Sequence, residues 1–265
     1  MLGFFKEHHR RRLRNRPFPK EWSVVLQKNV PFYRLLDVGD RTDLHGHTLV
    51  LLAEKHFEGC DGLILTDEIR TTIAAQASIL LLHRKPRYYP HLRSVVVYPH
   101  AYLARRARVD AAKVVHEAAE VRSGEAWSLG TVVLSWEDIE AIASRSHGSR
   151  NVVLHEFAHQ LDMENGGVAD GAPLLPRRSM YAAWARVLRA EYERLLDAVE
   201  HRHPSVIDFY GATSPAEFFA VVTECFFENP VALKTHHPQL YEQLQLFYRQ
   251  DPAALVERRI SPFSA

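Results

Sequence analysis

The sequence predicts an α+β fold, a small mixed or antiparallel sheet packed against helices behind a helical N-terminal part. Three observations carry that expectation. Helix-type spacing of apolar residues fills the chain to about residue 90, two or three β-branched runs follow it, and long helical segments occupy the remainder. At 265 residues, with 46% hydrophobic and 25% charged residues, the chain is long enough to bury a substantial core and has an ordinary globular balance. The 33 basic and 32 acidic residues nearly cancel, which gives no reason to expect direct nucleic-acid binding. Sixteen histidines stand against two cysteines, Cys60 and Cys225, so any metal must be held by imidazoles and carboxylates rather than by a thiolate cage.

Taken in order, residues 1–20 read as a basic, flexible N-terminal segment containing Arg10, Arg11, Arg12, Arg14 and Arg16. Residues 21–90 form the helical N-terminal part, joined to a catalytic part over 91–265 as one compact unit. Asp43 can cap a helix through Leu44, Leu51 and Phe57 that ends near Gly59, and Thr66 or Asp67 can cap a second through Ile69, Ile73 and Leu82. That second segment includes Asp67, Glu68 and Arg70, which are costly in a bilayer, so no membrane span is expected. With no signal peptide in view, a cytoplasmic location is expected.

The prolines of Lys85-Pro86-Arg87-Tyr88-Tyr89-Pro90 break the helical pattern. Strands are expected at Ser94–Tyr98, near Val114, Val115 and Val121, and at Thr131–Trp136 after Gly130. Helices follow at about 150–164, 178–200, 215–228 and 238–248.

The chemistry is concentrated in His155-Glu156-Phe157-Ala158-His159. Four residues turn a helix by about 400°, which stacks both imidazoles on one face and lets two nitrogens reach one Zn²⁺ at about 2.0–2.1 Å. Ser149 or Asn151 can cap this helix. In this pattern Glu156 takes a proton from the metal-activated water and delivers it to the leaving amine.

A catalytic zinc needs a third protein ligand and one open position. Gln160 to Ser179 contains no His, so a Glu on a second helix is the remaining solution. Glu217 and Glu224 share a face but lie about 10.5 Å apart along the axis, too far to bind one ion together. Ser214-Pro215-Ala216-Glu217 also reads as a capping box, so Glu217 has a competing structural role. Chemistry alone leaves the two carboxylates even. Asp162, on the ligand face, is either the acceptor of an outer imidazole N–H or a solvent-facing residue near the helix end. Asp43, His45 and His47 form an acid-His-x-His cluster, but on a helix the two imidazoles diverge. His201, His203, His236 and His237 read as solvated loop or helix-end residues. Arg105, Arg106 and Arg108 read as a solvated basic face.

The run from His155 to Asp162, with Asn165-Gly166 after it, resembles the zinc helix of the Mlc titration factor A family of bacterial zinc metallopeptidases. The stretch from Pro215 to Glu224, with Phe226-Phe227 and Pro230, is similar to that family's second signature, and the Gly124–Ile139 region also fits. The resemblance covers roughly residues 40 to 265. It implies a zincin-like fold, Glu217 as third ligand, a gluzincin-type zinc peptidase, and Glu224 as a supporting carboxylate. It further implies binding of the glucose repressor Mlc. The spacing of Tyr210 to Glu217 is similar to that in the catalytic domain of anthrax lethal factor, which implies that the Tyr210 phenol aids the transition state. Endopeptidase and aminopeptidase modes both stay open. A non-catalytic zinc protein that acts by binding a repressor is the competing class.

Overall fold

The computed structural model describes residues 2–101, 103, 130–144 and 150–260. The expected extended stretch at Val114–Val121, the arginines 105, 106 and 108, the cap at Ser149 and the start of the Gly124–Ile139 region lie outside the described residues.

Residues expected to be a loose basic tail form helix α1, Leu2–Arg14. It is held because Leu13 is buried and because Arg10 makes a bidentate pair with Glu54, at 2.7 and 2.8 Å. After α2, Lys20–Asn29, comes α3, Val38–Glu54. α3 starts earlier than its sequence suggests, because the Asp37 carboxylate, not Asp43, accepts the free Asp40 N–H at 2.9 Å. It also ends earlier: Phe57 belongs to strand β1, His56–Gly59. α4, Asp67–Ile79, is capped by the Thr66 hydroxyl and is buried over most of its length. No helix among the described residues is long and apolar enough to cross a membrane.

The sheet differs from expectation. Strands β2, Ser94–Tyr98, and β3, Thr131–Ser135, complete the order β1-β2-β3, and both pairings are parallel, with His56 opposite Ser94 and Ser94 opposite Thr131. Among the described residues no strand pair is antiparallel. Parallel neighbours need a crossover, and α4 supplies it between β1 and β2. Alternation sends Val95, Val97, Val132 and Leu134 into the core.

The rest is helical. α5, Trp136–Ala143, leaves β3 directly under a Ser135 cap. α6, Val152–Asp162, α7, Tyr181–His201, and α8, Pro215–Glu228, form the centre. α9, Pro230–His236, α10, Pro238–Tyr248, and α11, Pro252–Ile260, close it. Trp184 of α7, Phe219 of α8 and Phe247 of α10 pack ring to ring at 5.3–6.0 Å. Tyr89 packs edge-on against Phe157 of α6 at 4.8 Å, so the N-terminal part and the central helices share one core.

Gly130 sets the entrance to β3. Its carbonyl accepts from Arg93 N and Ser94 N at 2.8 and 3.1 Å, and its φ is +74°. A Cβ there would lie 2.6 Å from the His91 carbonyl oxygen. Gly130→Ala should therefore destabilise the protein by about 2 kcal/mol or more, combining a left-handed alanine with a backbone clash. Urea unfolding measures this, and an unchanged midpoint would contradict the register described for β3.

Candidate metal centre

The two helices that carry the ligand residues run antiparallel and are tied at both ends. At one end Asn151 accepts Leu154 N as the cap of α6, at 3.0 Å, while its amide donates to Glu228 at the end of α8, at 2.7 Å. At the other end Asp162 accepts the Gly171 N–H at 2.7 Å. Gly171, at φ +80°, lies so close to Pro215 that a Cβ would stand 2.5 Å from the Pro215 carbonyl oxygen. The last residue of α6 and the first of α8 are thus joined through one glycine.

This frame brings His155, His159 and Glu217 together, all buried. His155 Nε2 lies 2.9 Å from Glu217 Oε2, His159 Nε2 lies 3.4 Å from the same oxygen, and the two nitrogens are 3.2 Å apart. Tetrahedral donors about 2.0–2.1 Å from one ion stand about 3.3–3.4 Å from each other. The three separations fit that edge length. Glu217 Oε2 is buried without a well-aligned hydrogen bond, as expected of an oxygen whose lone pair is meant for a cation. Two imidazoles and a carboxylate are a donor set for a divalent metal. Among the described residues this is the one His/Cys/Asp/Glu group with such geometry.

The capping role of Glu217 does not compete with ligation. Its backbone N–H, not its carboxylate, meets the Ser214 hydroxyl, at 3.2 Å, which leaves the side chain free to turn inward. Glu224, one face-repeat further along α8, contacts the other side of His155, with Oε1 2.7 Å from Nδ1. The two carboxylates therefore do not converge on one point; they take the two nitrogens of one ring. Asp162, by contrast, binds the Gly171 backbone and makes no described contact with either imidazole. Burial pushes its carboxyl up to about 7.

Burial opposes charge on His155, but Glu217 and Glu224 outweigh it and carry the imidazole up to about 10. Burial holds His159 below its ordinary value, against the pull of Glu217. Burial works to raise Glu217, yet the two imidazoles keep its carboxyl well below the usual range.

Glu156 is 2% exposed and lies between the two imidazoles in sequence, and its charge raises both of them. Tyr210 sits at the rim, 39% exposed, in a short 3-10 turn, Phe209–Ala212, with its ring 5.9 Å from that of His155. Asp208 accepts Tyr210 N at 2.8 Å and pairs with Arg150 at 2.8 and 3.2 Å, and the Arg150 guanidinium covers the Tyr210 ring at 4.6 Å. Sequence reading missed this bracket. The Asp-x-Tyr spacing was a legible Asx-turn signal, whereas nothing local pointed to Arg150.

The other histidines that drew attention in the sequence lie elsewhere. His45 meets Tyr33 Oη at 2.9 Å and His47 meets Tyr88 Oη at 2.7 Å, so they diverge as a helix requires. His201 and His203 are exposed beside Asp197. His237 is not solvated as expected: it is buried, with Nδ1 2.7 Å from Glu191 Oε2.

A family model for the glucose-regulated metallo-peptidase M90 family matches residues 5–249. The chain belongs to that family. The uncharacterized protein slr2042 of Synechocystis sp. is 42% identical over 243 residues, covering 91% of this chain and 88% of that one. Mlc titration factor A of Serratia proteamaculans is 34% identical over 240 residues, 90% of each chain. The protein of the same name from Yersinia pestis is 32% identical over 240 residues, 90% of this chain and 87% of its own. A metallopeptidase family implies a divalent metal, in accord with the triad.

Metal uptake should release protons. Because His155 holds its proton up to about 10, metal affinity should rise about tenfold per pH unit below that value, with about one proton released per ion at pH 7. Glu224→Gln should lower affinity by about 10–100-fold and reduce the proton release. Calorimetry in buffers of different ionisation enthalpy reads both quantities, and an unchanged affinity would remove Glu224 from the site.

Proposed function

We propose that the chain is a zinc-dependent peptidase of the gluzincin type, with a zincin-like catalytic part. The observation that carries this reading is the convergence of His155 Nε2, His159 Nε2 and Glu217 Oε2 on one point, with Glu156 on the same helix. When bound, zinc supplies a polarised water and a Lewis acid for the scissile carbonyl. Imidazole and carboxylate donors suit that ion.

The chain's own residues do the remainder. Glu156 takes a proton from the attacking water and passes it to the leaving amine, so the C–N bond breaks with the amine protonated. Burial keeps Glu156 beside the imidazoles and away from competing solvent. The Tyr210 phenol, bracketed by Asp208 and Arg150 at the rim, donates to the tetrahedral oxyanion as charge develops. Glu224 fixes the His155 ring, and Asp162 fixes the helix pair through Gly171.

A regulatory role stands beside catalysis. Its support is the name Mlc titration factor A carried by relatives. On this reading the chain also binds a repressor of the Mlc kind. A purely structural zinc site is disfavoured: such sites are closed by a fourth side chain, and the described group has three donors with a carboxylic base adjacent.

Glu156→Gln should keep its metal and lose at least about 10²-fold in peptide turnover, the scale of general acid–base catalysis. Metal analysis and a peptide panel, read at internal bonds and at N-termini, test this. Full turnover in that variant would exclude the mechanism. Repressor binding that survives the substitution would separate the two roles.

A further inference from the structure

A second built feature lies in the loop between α4 and β2. His83, Tyr88 and Tyr89 have φ of 58°, 59° and 53°, a region that residues with side chains avoid. Both tyrosines are nonetheless buried. Contacts over-determine them: Tyr88 Oη meets His47 Nδ1, Tyr89 Oη donates to Ala77 O at 2.6 Å, and Lys55 Nζ donates to Tyr89 O and Leu92 O at 2.7 and 2.8 Å. Strain maintained in this way points to a use.

The loop and α1 together wall a cavity of about 760 Å³. Lys6, Arg10 and Arg14 line it from α1, and Arg84, Lys85 and Arg87 from the loop; Glu7 is the one carboxylate among the described lining residues. The α1 cations are already matched. Arg10 is held by Glu54, Arg14 lies 3.4 Å from Asp43, and Lys6 lies 3.9 Å from Glu54. The loop cations are offset only at longer range, by the buried Glu164 carboxylate acting on Arg84 and Arg87. Among the described residues Arg84, Lys85 and Arg87 have no carboxylate within ion-pair distance, and Arg87 donates only to the Glu164 carbonyl, at 3.1 Å. The Arg84 guanidinium lies 4.2 Å over the Phe247 ring, and its Nη1 is buried with no acceptor among the described residues. An uncompensated, partly buried guanidinium is costly, and several like charges around one cavity focus a positive field into it.

We propose that this cavity binds a phosphate group. Guanidinium forks match phosphate oxygens two at a time, and three loop cations offset by the one Glu164 carboxylate leave an excess of positive charge that suits a phosphate. The phosphate belongs to a soluble monoester or to the headgroup of an anionic phospholipid; Phe4 and Phe5 are exposed at the start of α1, the helix that supplies Lys6 to the cavity. The site is separate from the metal centre and does not depend on the peptidase reading.

The test is calorimetric titration of the full-length protein with inorganic phosphate and with glycerol 2-phosphate, against chloride at matched ionic strength. Co-sedimentation with phosphatidylcholine vesicles, with and without phosphatidylglycerol, runs in parallel. Saturable binding to either source is expected to weaken at least about tenfold in Lys85→Gln/Arg87→Gln, with the unliganded melting temperature retained. Lys85→Gln alone, which breaks no described hydrogen bond, should weaken it in the same direction and keeps the test valid should the double variant misfold. Binding to free phosphate assigns a soluble ligand, and binding to phosphatidylglycerol vesicles alone assigns a lipid headgroup. Absence of both in the wild type, or binding that is undiminished in the variants, would overturn the proposal.

Discussion

Every ligand atom of the metal centre is placed by one constraint, the antiparallel tie between α6 and α8. Asn151 reaches Glu228 at one end, and Asp162 holds Gly171 against Pro215 at the other. Both ends being fixed, the two helices can neither slide nor rotate freely. A helical face on α6 then presents His155 and His159 one turn apart, and a face on α8 presents Glu217 and Glu224 two turns apart. The surrounding fold serves that tie. Trp184 and Phe247 press α8 from outside through Phe219, and Tyr89 presses α6 from the N-terminal part through Phe157.

His155 is the electrostatic centre of this arrangement. One imidazole bridges two carboxylates, and each would be costly in a buried place without it. The same bridge gives Glu217 and Glu224 different places around His155. The separation that forbids both from meeting one ion suits a ring with nitrogens on opposite edges. Glu217 faces the nitrogen shared with His159, and Glu224 faces the outer one.

The centre was largely legible in the sequence because its parts are local. The His-x₃-His spacing, the Asn151 cap and the Ser214-Pro215 helix start are each written within a few residues. The family resemblance chose Glu217 over Glu224, a choice that spacing alone left even. What was not legible is set by partners distant in sequence. β1 is only four residues long and exists because its backbone pairs with β2, so Phe57 reads as helix until that partner is known. The parallel direction of the sheet follows from the α4 crossover, which no single strand encodes. The bracket of Tyr210 depends on Arg150, and the closure of the helix tie depends on Gly171; neither carries a local signal. His237 reads as a solvated helix-end residue because Glu191, its buried partner, lies on another helix.

The central claim is that three protein atoms hold one ion and leave one position open. X-ray absorption at the metal edge of the zinc-loaded protein tests it most directly. The account predicts a four-coordinate shell of nitrogen and oxygen at about 2.0–2.1 Å, two imidazoles, one carboxylate and one exchangeable light atom, with the carboxylate contribution lost in Glu217→Ala. A sulfur in the shell, a fourth protein side chain closing it, or an unchanged shell in Glu217→Ala would contradict it.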